Sequence, residues 1–279
     1  MSERGRLLVC ATPIGNLGDV SDRLREALTA ADLVYAEDTR RTAALLQHVG
    51  ATPTVRSLFA AKETARTEEL IARLDEGRTV VLVSDAGMPG ISDPGAEAVR
   101  RARAAGHEVI VIPGPSAVTT AVAAAGFGGD RFVFEGFLPR KGGVRAARLA
   151  ALAHEDRPVV IFVSPHRLLA DLGDLAVHTG SDRSIAITRE LTKLHEEVWV
   201  GEIGAAIELW EGREARGEFT VVLAPGSQER FPLDVAIAEA KGLVSGGASP
   251  SEAAKRVSAA TGVSRRSVYE ALIRDQERS

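Results

Sequence analysis

Apolar runs of strand length alternate with amphipathic stretches of helix length through most of this sequence, and no other feature constrains the fold as strongly. A short apolar run, a helical crossover and a second apolar run make a parallel sheet covered by helices on its faces. The spacing predicts strands over Arg6–Ala11, Leu33–Ala36, Thr54–Leu58, Thr79–Ser84 and Glu108–Ile112. Helices are predicted between them over Asp22–Ala31, Thr39–Val49, Lys62–Glu76 and Gly95–Gly106. A further helix over Ser116–Ala125 runs into Gly126-Phe127-Gly128-Gly129-Asp130, a turn-rich break that reads as a linker. A second series of strands follows over Arg131–Glu135, Pro158–Val163, Ser184–Thr188, His195–Val200 and Glu218–Ala224, with helices over Val144–Ala153, Arg167–Leu175 and Ile203–Glu211. Glu190 to Val200 leaves no room for a crossover helix, so the second sheet is expected to be partly antiparallel.

Beyond Pro225-Gly226 only helical patterns remain, over Leu233–Leu243, Ser251–Thr261 and Arg265–Arg274. The last two, joined at Thr261-Gly262-Val263-Ser264, fit either a helix-turn-helix reader of nucleic acid or a capping or dimerisation hairpin. The expected organisation is two α/β domains, residues 1–128 and 129–226, followed by a helical tail, residues 227–279. The formal charge of -4 supplies no global positive field for nucleic acid, so a polyanion would have to meet a local patch. Aromatic residues at 4% argue against broad base-stacking platforms. The single cysteine, Cys10, excludes an internal disulfide framework and any multi-cysteine metal cage, which suits a reducing compartment. No apolar run has the length of a membrane helix and no signal-peptide core is present, so a cytoplasmic location without membrane attachment is expected.

Several common active-site patterns are missing. There is no Gly-Lys dipeptide and hence no Walker A loop, and neither Gly-x-Ser-x-Gly nor His-Glu-x-x-His occurs. The histidines are scattered without ligand spacing, so no metal site is expected. What remains is a set of glycine-proline loops that follow predicted strands, where open α/β sheets bind ligands. Ala11-Thr12-Pro13-Ile14-Gly15-Asn16-Leu17-Gly18-Asp19 follows the first strand, and Ile112-Pro113-Gly114-Pro115-Ser116-Ala117 follows the fifth. Ser84-Asp85-Ala86-Gly87-Met88-Pro89-Gly90-Ile91-Ser92-Asp93-Pro94-Gly95 follows the fourth, a rigid wall of exposed backbone donors with two carboxylates, suited to a flat, polar, cationic ligand. Each loop alone also reads as a stiff turn. Three of them on one sheet edge point to a binding site.

The second strand delivers Tyr35-Ala36-Glu37-Asp38-Thr39-Arg40-Arg41-Thr42 to the same edge. Helix capping accounts for Asp38 or Thr39 but not for two arginines in a first turn, where the helix dipole disfavours them. Arg40 and Arg41 are therefore candidate phosphate contacts. Glu135-Gly136-Phe137-Leu138-Pro139-Arg140-Lys141-Gly142-Gly143-Val144-Arg145 forms a basic loop, either solvated surface or a clamp on a polyanion through Arg140, Lys141 and Arg145. Trp199 and Trp210 read as core or interface residues.

ATPIGNLGD (11–19), AEDTRRT (36–42), SDAGMPGISDPG (84–95), IPGPSA (112–117), EGFLPRK (135–141), SPHRL (164–168) and RELTK (189–193) occur in this order. Together they resemble the ribosomal RNA small subunit methyltransferase I family, a branch of the class III tetrapyrrole-methylase superfamily, over roughly residues 7–225. The resemblance implies two α/β domains with S-adenosylmethionine in the cleft between them, usually in a homodimer. It also implies methylation of a cytidine ribose 2′-oxygen in the decoding region of 16S rRNA, with the assembled small subunit as substrate. Carried over by motif, Pro13 would open the cofactor cleft, Asp85, Ala86, Gly87 and Met88 would line it, and Ser116 and Ala117 would close one side. Phe162, Leu191, Glu218 and Phe219 would supply the opposite wall. The chain departs from the family pattern at Val163, at Met88 and over Phe59-Ala60-Ala61-Lys62-Glu63.

Methyl transfer to a hydroxyl requires alignment and removal of its proton. Glu37 or Asp38 is the candidate base, with Arg40 positioning a flanking phosphate; Lys193, next to Glu190, is the candidate stabiliser of a developing alkoxide. The rival readings are a class III methylase acting on a tetrapyrrole or other small molecule, and a non-enzymatic RNA-binding assembly factor that reads RNA with the tail.

Overall fold

The computed structural model describes residues 5–58, 63–226, 233–261, 263 and 265–276. Phe59–Lys62, which departs from the family pattern, lies outside the described residues, as do Gly262 and Ser264 of the predicted tail turn.

Five strands form the first sheet: β1 (Arg6–Cys10), β2 (Leu33–Ala36), β3 (Thr54–Ser57), β4 (Thr79–Val83) and β5 (Glu108–Ile112). Their order is β3-β2-β4-β1-β5 and every pairing is parallel. Period-two alternation divides the side chains between two helical layers. Leu8, Cys10, Val34 and Val81 face α1 (Asp22–Thr29) and α2 (Thr39–Val49), whereas Leu7, Val9, Tyr35 and Leu82 face α3 (Glu63–Asp75) and α4 (Ala96–Ala104). Parallel strands all end on one edge, so the loops after β1, β2, β4 and β5 are gathered there by topology alone.

The second sheet has the order β6-β7-β10-β8-β9, from β6 (Val133–Phe137), β7 (Val159–Val163), β8 (Ser184–Arg189), β9 (Glu197–Glu202) and β10 (Phe219–Leu223). β6 runs parallel to β7, and the other pairings are antiparallel. The mixed sheet is as expected. Its outer face carries α6 (Gly143–Ala153), α7 (Leu168–Thr179) and α8 (Ile203–Glu211), with Leu149, Leu172 and fully buried Trp210 in one cluster over Val159, Ile161 and Val221. Trp210 stacks edge-on against Phe219 with ring centroids 5.1 Å apart.

The inner face is covered by α5 (Ala117–Ala125), through Val118, Ala121, Val122 and Ala125 against Val160, Ala186 and Val222. The small residues of AVTTAVAAA let this helix lie close to the strands. Because α5 begins directly after the β5 loop, it fixes the binding edge of the first sheet beside the second. β6 and β9 each begin two residues later than predicted. In β6 a register shift between Phe134 and Gly136, with Gly136 at φ +64, carries the strand on to Phe137. In β9 the segment after β8 is wound into turns, with Lys193 N donating to Glu190 O (3.0 Å) and Glu196 N to Lys193 O (3.1 Å), so pairing starts only at Glu197.

The helices α9 (Leu233–Ser245), α10 (Pro250–Thr261) and α11 (Arg265–Gln276) enclose a small core of their own, including Ala236, Ala240, Ala254, Val257, Val268 and Leu272. No helix among the described residues is long and apolar enough to cross a membrane.

Candidate active site

The loops after β1 and β4 are pinned to each other. Thr12 N donates to Gly87 O (2.9 Å), Gly87 N returns a bond to Thr12 O (3.1 Å), and the Thr12 hydroxyl donates to Ser84 O (3.2 Å). Gly87 sits at φ +80, a conformation in which a side chain would be strained. Beside this bridge a cavity of about 400 Å³ opens between the sheets. The first sheet supplies its floor through Asp85, Ala86, Gly87 and Met88, with Ser116 and Ala117 at the side. The second sheet supplies Phe162, Leu191, Glu218 and Phe219. Phe162 is held by an edge contact with Phe134 and a tilted contact with Phe137, at centroid distances of 5.0 and 5.6 Å. Of the residues carried over as cofactor contacts, Pro13 alone is elsewhere: it lines a smaller adjoining pocket of about 170 Å³ with Gly15, Arg41 and Lys193.

The first sheet's loops bring three carboxylates to the large cavity, Glu37, Asp85 and Asp93, and the second sheet adds Glu218. Asp93 is the second of the two carboxylates that the sequence places in the loop after β4. Burial pushes the Glu37 carboxyl above its ordinary range, and the charges of Asp93 and Asp85 push it further. Asp93 is raised as well, again chiefly by burial. Arg41 lies 3.6 Å from Asp85 and borders both cavities.

Asp38 is placed differently. Its carboxylate caps α2 by accepting from Arg40 N (2.9 Å) and pairs with the Arg40 guanidinium at 2.7 Å. Those bonds from Arg40 hold its pKa at about 2, so Asp38 is a poor base near neutrality. Arg40 pairs with Asp38 outside the cavity, with its side chain 90% exposed.

Lys193 lies with its stem across Gly15 and its ammonium between Glu190 (2.8 Å) and Glu218 (3.0 Å). Burial works to lower its pKa, but the bonds to the two carboxylates outweigh burial and leave it raised. The turn that delivers it is strained: Glu190 and Thr192 adopt φ of 52 and 67 without being glycine.

Arg140 and Lys141 are exposed on the loop after β6 and have no ion-pair partner among the described residues. Arg145 corrects the sequence expectation. It is buried, donating to Asp171 (2.7 Å), to Asp174 (2.8 Å) and to Pro139 O (2.9 Å), and its guanidinium is therefore unavailable to a substrate. Helical spacing shows where Arg145 sits on α6, but its partners come from α7, which sequence spacing does not bring near.

This arrangement has known relatives. The family model for Tetrapyrrole (Corrin/Porphyrin) Methylases matches residues 6–207. Ribosomal RNA small subunit methyltransferase I of Synechocystis sp. is 43% identical over 269 residues, which cover 95% of this chain and 96% of that protein. The chain belongs to this family of tetrapyrrole methylases. The protein of the same name from Thermotoga maritima is 46% identical over 220 residues, 79% of this chain and 98% of the relative. Among solved structures, uroporphyrin-III C-methyltransferase from Thermus thermophilus, complexed with S-adenosylhomocysteine, aligns with a TM-score of 0.57 at 18% identity, covering 78% of this chain and 96% of that chain. It shares the fold.

Membership of this methylase family makes the chain a methyltransferase with S-adenosylmethionine as its cofactor. The large cavity fits that group. Ile14, Met88, Leu191 and Phe162 offer apolar surface for a base, Ala86 and Gly87 expose backbone, and the three carboxylates suit a ligand that carries positive charge.

Proposed function

We propose that the protein methylates the ribose 2′-oxygen of a cytidine in the decoding region of 16S rRNA, on the assembled small subunit, in the cytoplasm and as a homodimer. The names of the relatives support ribosomal RNA as the substrate, and the observation that carries the reaction is a burial-shifted Glu37 in the large cavity, which shares Arg41 and Asp85 with the smaller one. In this reading residues 1–128 and 129–226 are the two domains that hold the cofactor between them, and the tail is a third unit.

When bound, S-adenosylmethionine supplies a methyl carbon made electrophilic by its positively charged sulfur. Ala86, Gly87, Ser116 and Ala117 hold the donor, with Phe162, Leu191 and Phe219 excluding water from the opposite side. Glu37 accepts the proton of the ribose hydroxyl, and its raised pKa makes it a stronger base than an ordinary carboxylate. Arg41 grips a substrate phosphate at the mouth. Lys193, held by Glu190 and Glu218, stabilises the negative charge that develops on oxygen.

A β-carbon added at Gly15 would stand 2.3 Å from Lys193 Cγ, so Gly15→Ala displaces the lysine while the backbone is kept. Gly15→Ala and Lys193→Met are expected to slow single-turnover transfer by comparable factors, roughly tenfold to a hundredfold. The double variant should be no slower than either single one. Additive losses would show that Gly15 acts independently of Lys193.

Arg140→Glu with Lys141→Glu is expected to raise KM for RNA on the order of tenfold or more without affecting cofactor affinity by calorimetry. A small-molecule methylase would keep its KM. The direct test transfers labelled methyl groups to small subunits from a strain lacking the enzyme and maps the modified ribose; label on a base, or none, would refute the assignment. Absence of S-adenosylmethionine binding would favour the RNA-binding assembly factor.

A further inference from the structure

The tail lies beyond the residues matched by the family model, 6–207, and its helices bury their apolar side chains against one another. It is an addition to the methylase body with its own core. Its charge also departs from the rest of the chain. Residues 250–276 carry five Lys/Arg side chains against three carboxylates, within a protein of net charge -4.

Three of these cations, Lys255, Arg265 and Arg266, gather toward the starts of α10 and α11. Arg265 and Arg266 open α11, whose first turn contains no acidic residue, although a helix N-terminus disfavours cations; helix stability therefore does not explain them. Arg265 Nη2 donates to Ser251 Oγ (3.1 Å), which joins the start of α11 to the start of α10. Lys255 follows Ser251 by one turn on the same side of α10. Tyr269, 41% exposed, follows Arg265 and Arg266 at i+4 and i+3, so an aromatic ring stands among the cations. Glu270 answers part of the charge through Arg266 (2.7 Å) and Arg274 (3.7 Å), leaving Arg265 and Lys255 without a carboxylate partner among the described residues.

We infer that the face formed by Lys255, Arg265, Arg266 and Tyr269 is a second RNA-binding surface, which grips backbone phosphates with its cations and stacks an unpaired base on Tyr269. This rests on the reading of RNA as the substrate. The surface anchors the substrate at a distance from the reacting ribose and contributes to KM, not to the chemical step. A self-cored unit tethered after the second sheet is suited to this, because a second attachment to one RNA raises the effective concentration at the first. A protein or a second copy of the chain as the occupant is the competing outcome.

The test uses the full chain with Arg265→Glu/Arg266→Glu, and with Arg265→Gln/Arg266→Gln, which avoids like charges beside Glu270. The substrate is the isolated small subunit, and methyl transfer, salt dependence and sedimentation are measured. KM is expected to rise about tenfold or more for the Glu pair and less for the Gln pair. The log-log salt slope should become shallower by about one per arginine replaced, with kcat and cofactor affinity retained. Tyr269→Ala should raise KM without altering the salt slope. Unchanged KM and slope in folded variants, with wild type active on RNA, would overturn the tail assignment alone. A lost dimer in place of a changed slope would identify a subunit contact and overturn it as well. Wild type inactive on RNA would instead remove the underlying functional reading.

Discussion

Glu37→Gln is expected to slow single-turnover methyl transfer by about 10²- to 10⁴-fold at neutral pH, the usual contribution of a positioned general base. The same substitution should stabilise the fold. Burial and two neighbouring carboxylates raise the Glu37 pKa in the native state, so the folded protein binds this proton more tightly than the unfolded chain does. The native state is therefore favoured while the group is protonated, and that advantage is lost as pH rises from the ordinary carboxylate value through the raised one. At neutral pH the ionised group is a net cost, which an uncharged amide removes. Activity has the opposite sign. The ionised form is the base, so the rate falls as pH drops through the raised pKa, giving an acid limb above the ordinary carboxylate range. Glu37→Gln should remove that limb while raising Tm at pH 7; a variant of normal rate, or one that keeps the limb, would exclude Glu37 as base. Asp38→Asn serves as the contrast. Its loss weakens the cap of α2 and the Arg40 pair, with little effect on the rate per folded molecule.

Arg145→Ala is expected to cost about 3 kcal/mol, the lower end of what breaking a buried ion pair costs. The lower end applies because Asp171, itself buried, keeps a second partner in Arg167 at 3.1 Å. A loss of that size lowers Tm on the order of 10 °C in a domain of this kind. Arg145→Lys should recover only part of it, since an ammonium cannot serve Asp171, Asp174 and Pro139 O together. The bond to Pro139 O also tethers the loop that carries Arg140 and Lys141, so KM for RNA should rise along with the loss of stability. Thermal melts decide the matter: an unchanged Tm with a raised KM would return Arg145 to the substrate clamp.

The residues legible in the sequence and those that were not differ in a physical way. Asp85, Ala86, Gly87, Met88, Ser116 and Ala117 all follow parallel strands, and parallel strands end on one edge, so their convergence follows from alternation alone. Pro13 obeys the same rule but faces the smaller pocket, because the side of a loop on which a ring projects is a matter of local dihedrals. Arg145 was read as a charge available to substrate where the fold buries it in an ion pair. An ion pair between α6 and α7 has no signature in spacing, since the partners are brought together by packing on β7.

The sequence by itself determined an α/β chain whose glycine-proline loops share an edge, because strand and helix periods are local and parallel pairing has one direction. The tertiary structure alone separated the two candidate carboxylates. The difference between Glu37 and Asp38, adjacent in the chain, is burial beside Asp85 and Asp93 for one and a bond to Arg40 for the other. Charge on a carboxylate depends on its solvation and on every charge within a few ångströms, and those distances are set only when the sheets, with α5 between them, have closed.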